Sequence, residues 1–345
     1  MTAAAVGATG AGTGTAPLVE ATDVVKHFAA RSRLGRKPLP VRAVDGVSFS
    51  IARGETLGLV GESGSGKSTL GRLVLRLIEP TSGTITFDGQ DVGALSRTEL
   101  IRLRSRMQLV FQDPVSSFNP RMTIEQVLTE PMVVHSIGTS ASREKRCHEL
   151  LDLVGLPSYA LHRYPHQFSG GQAQRIGIAR ALATNPDLIV CDEAVSALDV
   201  SVQAQVLNLL KELQRELGLS YLFIAHDLNV VRYMSDRVCV MYLGKLVEVG
   251  DGDGLMRSPL HPYSSALVEA IPSPDSRGEL RVPLAGEIPS PTRPPSGCRF
   301  HTRCSARFEP CDRETPQLVR IGDREVACHL HPGTDVRADA PGGRA

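Results

Sequence analysis

The sequence is poor in aromatic residues, in net charge and in long apolar runs, and each shortage excludes a class of protein. Its 345 residues include no tryptophan, and the formal net charge at pH 7 is only +1, with acids and bases interspersed. No apolar run approaches the roughly 20 residues that a membrane-spanning helix needs. The balanced charge argues against binding through neutralisation of nucleic-acid phosphates. The sequence therefore predicts a cytosolic protein with no nucleic-acid partner.

Cysteine is also scarce, and seven thiols in a cytosolic chain are not expected to form structural disulfides. Three of them, Cys147, Cys191 and Cys239, lie in apolar or helical contexts and are predicted to be buried free thiols. The other four cluster near the C-terminus at Cys298, Cys304, Cys311 and Cys328. Their spacing fits neither the usual zinc patterns nor the ferredoxin runs, so free thiols, zinc and an iron–sulfur cluster all stay open.

The order of apolar segments predicts an α/β fold with a mainly parallel sheet. Near-continuous apolar runs at 188–191 and 221–225 are typical of strands covered on both faces. Strands are also predicted at 44–51, 55–60 and 84–87, and helices at 69–78 and 142–154. We divide the chain into a disordered N-terminus (1–17), a nucleotide-binding domain (18–255) with a helical insertion (113–165), a C-terminal extension (256–331) containing a proline-rich linker (272–297) and a cysteine module (298–331), and a flexible tail (332–345).

The most informative segment is Gly61-Glu62-Ser63-Gly64-Ser65-Gly66-Lys67-Ser68, which lies between a predicted strand and the helix that Thr69 opens. Its glycines let backbone N–H groups approach phosphate oxygens, and the start of the helix adds a favourable dipole. Lys67 is expected to reach the β- and γ-phosphates of ATP, and the Ser68 hydroxyl to ligate Mg²⁺. The segment Gly61 through Thr69 is therefore predicted to bind ATP.

A pair of acids, Asp192 and Glu193, follows the buried strand at 188–191. A carboxylate at the end of such a strand can hold Mg²⁺, so Asp192 is the candidate metal residue beside Ser68. Its neighbour Glu193 is then placed to act as the general base on the attacking water. Together with the phosphate loop, the pair predicts ATP hydrolysis.

Further segments resemble the motifs of ABC-type ATPases, in the family's order. Phe168-Ser169-Gly170-Gly171-Gln172 is similar to the family signature, with Phe in the usual Leu position. Gln112 resembles the Q-loop residue, Asp199 the end of the D-loop and His226 the switch histidine. The resemblance covers about residues 18–255. It implies a nucleotide-binding domain with parallel, antiparallel and helical parts.

The same resemblance implies roles for these residues. Ser169 to Gln172, with Asp199, would complete the ATP site of the opposite subunit. Gln112 would sense Mg²⁺ and the attacking water, and His226 would orient that water against the γ-phosphate. Phe28 is placed like the aromatic residue that stacks on adenine, although an ordinary core Phe is the alternative. The chain would thus be half of a two-subunit ATPase.

Narrower stretches resemble the ATPases of dipeptide and oligopeptide importers, in particular the second, F-type subunit. These stretches are residues 111–121, 196–207, 224–228, 261–272 and 297–304. The resemblance implies a D-type ATPase partner, two permease subunits, a solute-binding protein and a place at the cytoplasmic face of the inner membrane. It also implies a [4Fe–4S] cluster on the four C-terminal cysteines. Other cargo, such as nickel or glutathione, and a non-transport ABC ATPase remain alternatives.

Overall fold

The fold is taken from a computed structural model of the chain, and the structure describes residues 16–29, 39–271 and 286–335. The strands are Val19–Phe28 (β1), Val41–Ile51 (β2), Thr56–Val60 (β3), Ser82–Phe87 (β4), Gln90–Asp91 (β5), Met107–Val110 (β6), Leu188–Asp192 (β7), Ser220–Ile224 (β8), Arg237–Tyr242 (β9), Lys245–Gly250 (β10), Val319–Ile321 (β11), Arg324–Val326 (β12) and Thr334–Asp335 (β13). The α-helices are Lys67–Val74 (α1), Arg97–Arg104 (α2), Pro114–Ser117 (α3), Ile124–Val134 (α4), Ser140–Leu153 (α5), Gly170–Leu182 (α6), Val200–Leu217 (α7), Leu228–Met234 (α8), Gly252–Arg257 (α9) and Pro262–Glu269 (α10), with 3₁₀ turns at Ser158–His162 and Pro165–Gln167.

Two sheets form the framework of the described residues. The larger has the strand order β13-β11-β12-β10-β9-β3-β8-β7-β6, and its segment from β9 to β6 is parallel. The smaller sheet, β2-β1-β4-β5, is antiparallel. Residues of β3 and β8 are buried throughout, as continuous apolar runs require. Because β3, β7 and β8 run parallel, the segments that follow them meet at one edge of the sheet, where α/β folds bind ligands.

The helices agree with the sequence pattern apart from their ends. Helix α1 begins at Lys67 rather than Thr69, because Gly66 ends the preceding loop at φ 110°. It stops at Val74 rather than Ile78, and Arg76 then takes a left-handed φ of 47°. Helix α5 presents Cys147, Leu150 and Leu151 to the core, and Val154 just beyond it is also buried. The predicted helical insertion corresponds to α3, α4, α5 and the two 3₁₀ turns.

The core confirms the prediction for the three isolated cysteines. Cys147, Cys191 and Cys239 are buried and free. Burial raises the pKa of the Cys191 and Cys239 thiols to about 12, so both stay protonated near neutral pH. They pack as small apolar side chains and are poor candidates for chemistry.

The C-terminal segment, predicted as a small cysteine module after a linker, continues the main sheet. Its strand β12 pairs with β10, so β11, β12 and β13 extend the main sheet. Part of the predicted linker is described, and there Pro291 accepts a backbone hydrogen bond from Arg42 at the start of β2. The remaining linker residues 272–285, the N-terminal residues 1–15 and the tail residues 336–345 lie outside the described ranges.

Candidate ATP-hydrolysing site

The predicted phosphate loop joins the end of β3 to the start of α1. A Cβ atom at Gly61 would lie 2.1 Å from the carbonyl oxygen of Met241, and one at Gly66 would lie 2.1 Å from that of Ala43. Both glycines also have positive φ, which L side chains rarely adopt. The backbone of the loop is therefore wedged between β2 and β9. Only glycine allows the loop to pack this closely against the two strands.

Lys67 is the first residue of α1, and its side chain curls back over the loop. Its Nζ atom donates to the carbonyl oxygens of Gly61 at 2.7 Å and Glu62 at 3.0 Å. Burial lowers the pKa of Lys67, while the carboxylates of Glu193, Asp192 and Glu62 act in the opposite direction. A cation held among these carboxylates is placed to bind the terminal phosphates of a nucleotide.

Five further predicted residues meet at the same edge. The Ser68 hydroxyl donates to Asp192 Oδ1 at 2.6 Å, which joins the two predicted oxygen ligands of Mg²⁺. Gln112 Nε2 donates to Glu193 Oε2 at 3.0 Å. The same Oε2 lies 3.7 Å from His226 Nδ1. Ser68 and Asp192 are hard oxygen donors that can bind Mg²⁺, and the neighbouring Glu193 carboxylate, held by Gln112, can activate a water molecule.

Glu193 is held in an uncommon backbone conformation. Its φ is 50°, and its N–H donates to the carbonyl oxygen of Ile224 in β8. A non-glycine residue in this region costs free energy and points to a constraint from the surrounding structure. The two residues that follow Glu193, Ala194 and Val195, are both buried, which helps to hold this strand end in place.

The signature-like segment occupies a different position from the phosphate loop. Ser169 is the N-cap of α6, where its hydroxyl accepts from the Gln172 N–H at 3.4 Å and Gln172 Oε1 accepts from the Ser169 N–H at 3.1 Å. Ser169, Gly170 and Gln172 are exposed, and Gly171 is half-buried. Free N–H groups at an exposed helix start form an anion-binding surface. This surface is open to a second molecule.

The D-loop residue Asp199 is also exposed and is the N-cap of α7. Its carboxylate accepts from the Val202 N–H at 3.0 Å, and this backbone hydrogen bond lowers the pKa of Asp199. The next residue, Val200, is 83% exposed. An exposed apolar side chain beside a capped helix start is consistent with an interface.

Phe28, the predicted adenine-stacking residue, ends β1 with 38% of its surface exposed, so the alternative of an ordinary core phenylalanine is wrong. The Lys26 Nζ atom lies 5.2 Å from the centre of its ring. The ring is thus partly exposed, with the ammonium group of Lys26 beside it.

The four C-terminal thiols, Cys298, Cys304, Cys311 and Cys328, line one cavity, together with His261. Burial raises the pKa of Cys298 to about 11 and also raises that of Cys304 and Cys328. No group of three or more His, Cys, Asp or Glu side chains within the described ranges converges closely enough to hold one metal ion. This arrangement supports neither a zinc ion nor an iron–sulfur cluster on the four thiols.

His261 adds an unpaired polar atom to this cavity. Its Nδ1 accepts from the Tyr263 N–H at 3.0 Å, so the proton of the neutral ring lies on Nε2. In the described part of the chain this buried Nε2 has no hydrogen-bond partner. Burial lowers the pKa of His261 to about 3, so the ring stays neutral. The cavity thus presents four thiols and one N–H donor, a set that fits a sulfide-containing group with several attachment points.

Sequence reasoning missed the residues that contact the phosphate loop from the C-terminal extension. The Glu62 N–H donates to the Tyr263 hydroxyl at 2.8 Å, and the Arg303 guanidinium donates to both oxygens of the Glu62 carboxylate. An acidic side chain inside a phosphate-binding loop was the available signal, because it calls for a nearby cation. Neither partner could be identified before the fold was known.

Comparisons with known proteins agree with this geometry. Residues 44–196 match the family model for ABC transporters, and residues 247–311 match that for the C-terminal region of oligopeptide/dipeptide transporters. The oligopeptide transport ATP-binding protein AppF of Bacillus subtilis (strain 168) is 53% identical over 321 residues, which are 91% of this chain and 97% of AppF.

Two solved structures are similar over the cassette. The dimeric ATP-binding cassette MJ0796, in a post-hydrolysis state bound to ADP and Pi, is 30% identical with a TM-score of 0.61, over 68% of this chain and 98% of that one. The cbiO1 protein of Clostridium perfringens, part of the ABC transporter complex cbiONQ, is 26% identical with a TM-score of 0.60. The match covers 70% of this chain and 91% of cbiO1. The fold and site thus define an ATP-binding cassette ATPase. The chain belongs to the ATP-binding proteins of the oligopeptide/dipeptide ABC transporter family.

None of the helices in residues 16–29, 39–271 and 286–335 has the length and apolarity to cross a membrane.

Proposed function

We propose that this chain hydrolyses ATP to energise the import of dipeptides or oligopeptides across the cytoplasmic membrane. The observation that carries the proposal is that one chain holds the phosphate loop with its Mg²⁺ and base residues, and has an importer-type C-terminal region packed on that loop. The relative AppF carries a name that states oligopeptide transport. The chain would act at the cytoplasmic face of the inner membrane, beside two permease subunits and downstream of a solute-binding protein.

The roles within the site follow from the contacts. Residues 61–69 bind the phosphates, and Lys67 neutralises the terminal ones. Ser68 and Asp192 would hold Mg²⁺, with Gln112 completing its surroundings, and the ion supplies charge neutralisation on the phosphates. Glu193 takes the proton from the attacking water, while Gln112 and His226 orient the carboxylate and the water. Phe28 stacks on adenine through its exposed ring face.

The signature residues Ser169 to Gln172 and Asp199 act in a second site. Because the start of α6 is exposed, it can contact the γ-phosphate of ATP held on a facing cassette. The dimeric assembly of MJ0796 in its ADP- and Pi-bound structure is a precedent for two cassettes acting together. We propose that the facing cassette here is a distinct D-type subunit, with closure of the pair driving the permeases.

Reconstitution tests the transport assignment. The full chain, the partner ATPase and two permeases would be assembled in liposomes, and ATP hydrolysis and uptake would be measured with a di- and oligopeptide panel, nickel and glutathione. We expect peptides and their binding protein to stimulate both activities. Stimulation by nickel or glutathione without peptide would overturn the cargo assignment, and failure to associate with any permease would overturn transport itself.

We further propose that Cys298, Cys304, Cys311 and Cys328 ligate a [4Fe–4S] cluster. Each cysteine of such a cluster binds a different iron, so the thiols need not converge on one point. Their shared cavity and the unpaired His261 N–H, which can donate to a sulfur atom, support this proposal.

Anaerobic purification tests the cluster. We expect ~4 iron and ~4 sulfide per chain with visible charge-transfer absorbance, and loss of most of both in Cys304→Ser. The buried Cys147→Ser, outside the cavity, is the matched control and should keep its iron. Zinc in place of iron, or thiols that remain free under anaerobic conditions, would contradict the proposal.

A further inference from the structure

The C-terminal extension reaches the phosphate loop at Glu62, the residue that follows Gly61. The Arg303 guanidinium donates to Glu62 Oε2 at 2.7 Å and to Oε1 at 3.0 Å. The backbone N–H of the same residue donates to the Tyr263 hydroxyl at 2.8 Å. Both the side chain and the backbone of Glu62 are thus held from outside the cassette. A two-pronged pair of this kind fixes geometry as well as charge.

Arg303 is held firmly where it meets the loop. Only 3% of its side chain is exposed, and it also donates to the Tyr242 hydroxyl at 3.3 Å. The buried Phe300 packs its ring 5.3 Å from that of Tyr242 and 5.4 Å from that of Tyr263. The buried Arg299 anchors the same segment on the carbonyl oxygen of Leu243 and on Asp45. The segment that carries Arg303 is therefore docked on the cassette by an aromatic cluster and a second ion pair.

The charge of Glu62 matters because it lies in a loop that binds polyphosphate. It is one of the three carboxylates that act on the pKa of Lys67, so it lies within electrostatic reach of the phosphate-binding ammonium. An unpaired carboxylate there would repel the phosphates and compete for Lys67. The paired Arg303 removes most of that negative charge. The loop can thus carry an acid and still bind an anion.

From these contacts we propose that Arg303, supported by Tyr263, is a positioning residue for nucleotide binding that acts through Glu62. It neutralises the carboxylate and fixes the loop in its phosphate-binding shape. The inference rests on the proposed placement of the ATP phosphates on Gly61 to Ser68.

Equilibrium ATP binding to the full chain without Mg²⁺ tests the proposal, because no turnover then complicates the affinity. In Arg303→Gln we expect the Kd for ATP to rise ~10-fold, which corresponds to about 1.4 kcal/mol. Adding Glu62→Gln should remove the unpaired charge and recover most of the lost affinity. Arg303→Lys keeps the charge without the two-pronged contact and should give an intermediate Kd. In the assembled transporter, Arg303→Gln should raise KM for ATP more than it lowers kcat.

Controls separate this role from a folding defect. Arg307→Gln, in the same segment but paired with Asp312, should bind ATP like the unmodified chain. A double variant that binds as weakly as Arg303→Gln alone, or an Arg303→Gln chain with unchanged Kd, would overturn the inference. Lys67→Ala distinguishes the two proposals. If this variant binds ATP like the unmodified chain, the placement of the phosphates is wrong. If Lys67→Ala loses ATP binding but Arg303→Gln keeps it, only the positioning role of Arg303 is rejected.

Discussion

Replacing Glu193 by Gln is expected to slow ATP hydrolysis by roughly 10²–10⁴-fold while ATP binding survives. The amide keeps the size of the side chain and one oxygen to accept from Gln112 Nε2, but it cannot take a proton from water. Turnover by the assembled transporter and equilibrium ATP binding by the full chain would be measured side by side. Because ATP then persists between the cassettes, their closed form should accumulate.

The control is Glu212→Gln, which changes an exposed acid on α7 and should leave hydrolysis as it was. If Glu193→Gln hydrolyses ATP at the unmodified rate, Glu193 is not the base and the water must be activated elsewhere in the site. Loss of both ATP binding and hydrolysis would instead show that the variant disturbs the phosphate loop. His226→Ala would then be the second probe of the same carboxylate, because it removes the imidazole whose Nδ1 lies 3.7 Å from Glu193 Oε2.

The second large effect is expected from Ser169→Arg at the start of α6. A long cation at this exposed N-cap blocks the surface proposed to meet the γ-phosphate of the facing cassette. We expect a loss of about 10²-fold or more in transporter turnover, comparable with the removal of a key charge-stabilising donor. Binding of ATP by the isolated chain should not change, because the phosphate loop is a separate element.

Ser96→Arg is the matched control for that experiment. Ser96 caps α2 through the same reciprocal contacts that Ser169 makes for α6, so both variants lose a helix cap worth about 1 kcal/mol. Only the Ser169 variant should lose turnover. Equal losses in the two variants would assign the effect to stability. Weakened ATP binding by the isolated Ser169→Arg chain would place the signature in the chain's own site and contradict the two-cassette arrangement.

Local sequence was sufficient wherever the physical cause is local. A continuous apolar run such as 188–191 is typical of a strand that is covered on both faces of a parallel sheet. The observed strand β7 includes this run. The loop from Gly61 to Ser68 needs glycine at positions of positive φ, which makes its pattern legible without a fold. The ends of α1 were less accurate, because Gly66 and Arg76 take left-handed conformations that periodicity does not encode.

Long-range contacts account for what the sequence could not supply. A charged loop residue such as Glu62 indicates that a cation is needed nearby. Its partner Arg303 lies 241 positions further along the chain, and the sequence does not distinguish it from the other arginines of the same segment. The four C-terminal thiols have no recognisable spacing. They share a cavity because Phe300 and Arg299 dock the first part of the segment on the cassette, while the pairing of β12 with β10 places Cys328 beside it. Exposure of Phe28 likewise depends on where β1 ends in its sheet.

By itself, the sequence determined the class of chemistry: the phosphate loop, the acids at the end of β7 and the signature segment each carry their own physical requirements in consecutive residues. The tertiary structure alone decided how these parts are combined. Parallel pairing of β3, β8 and β7 brings Ser68, Asp192 and Glu193 to one edge, and docking of the C-terminal segment places Arg303 on Glu62. Residues that are neighbours along the chain can be recognised from the sequence. Residues that become neighbours across the sheet are brought together by strand pairing and packing between distant segments.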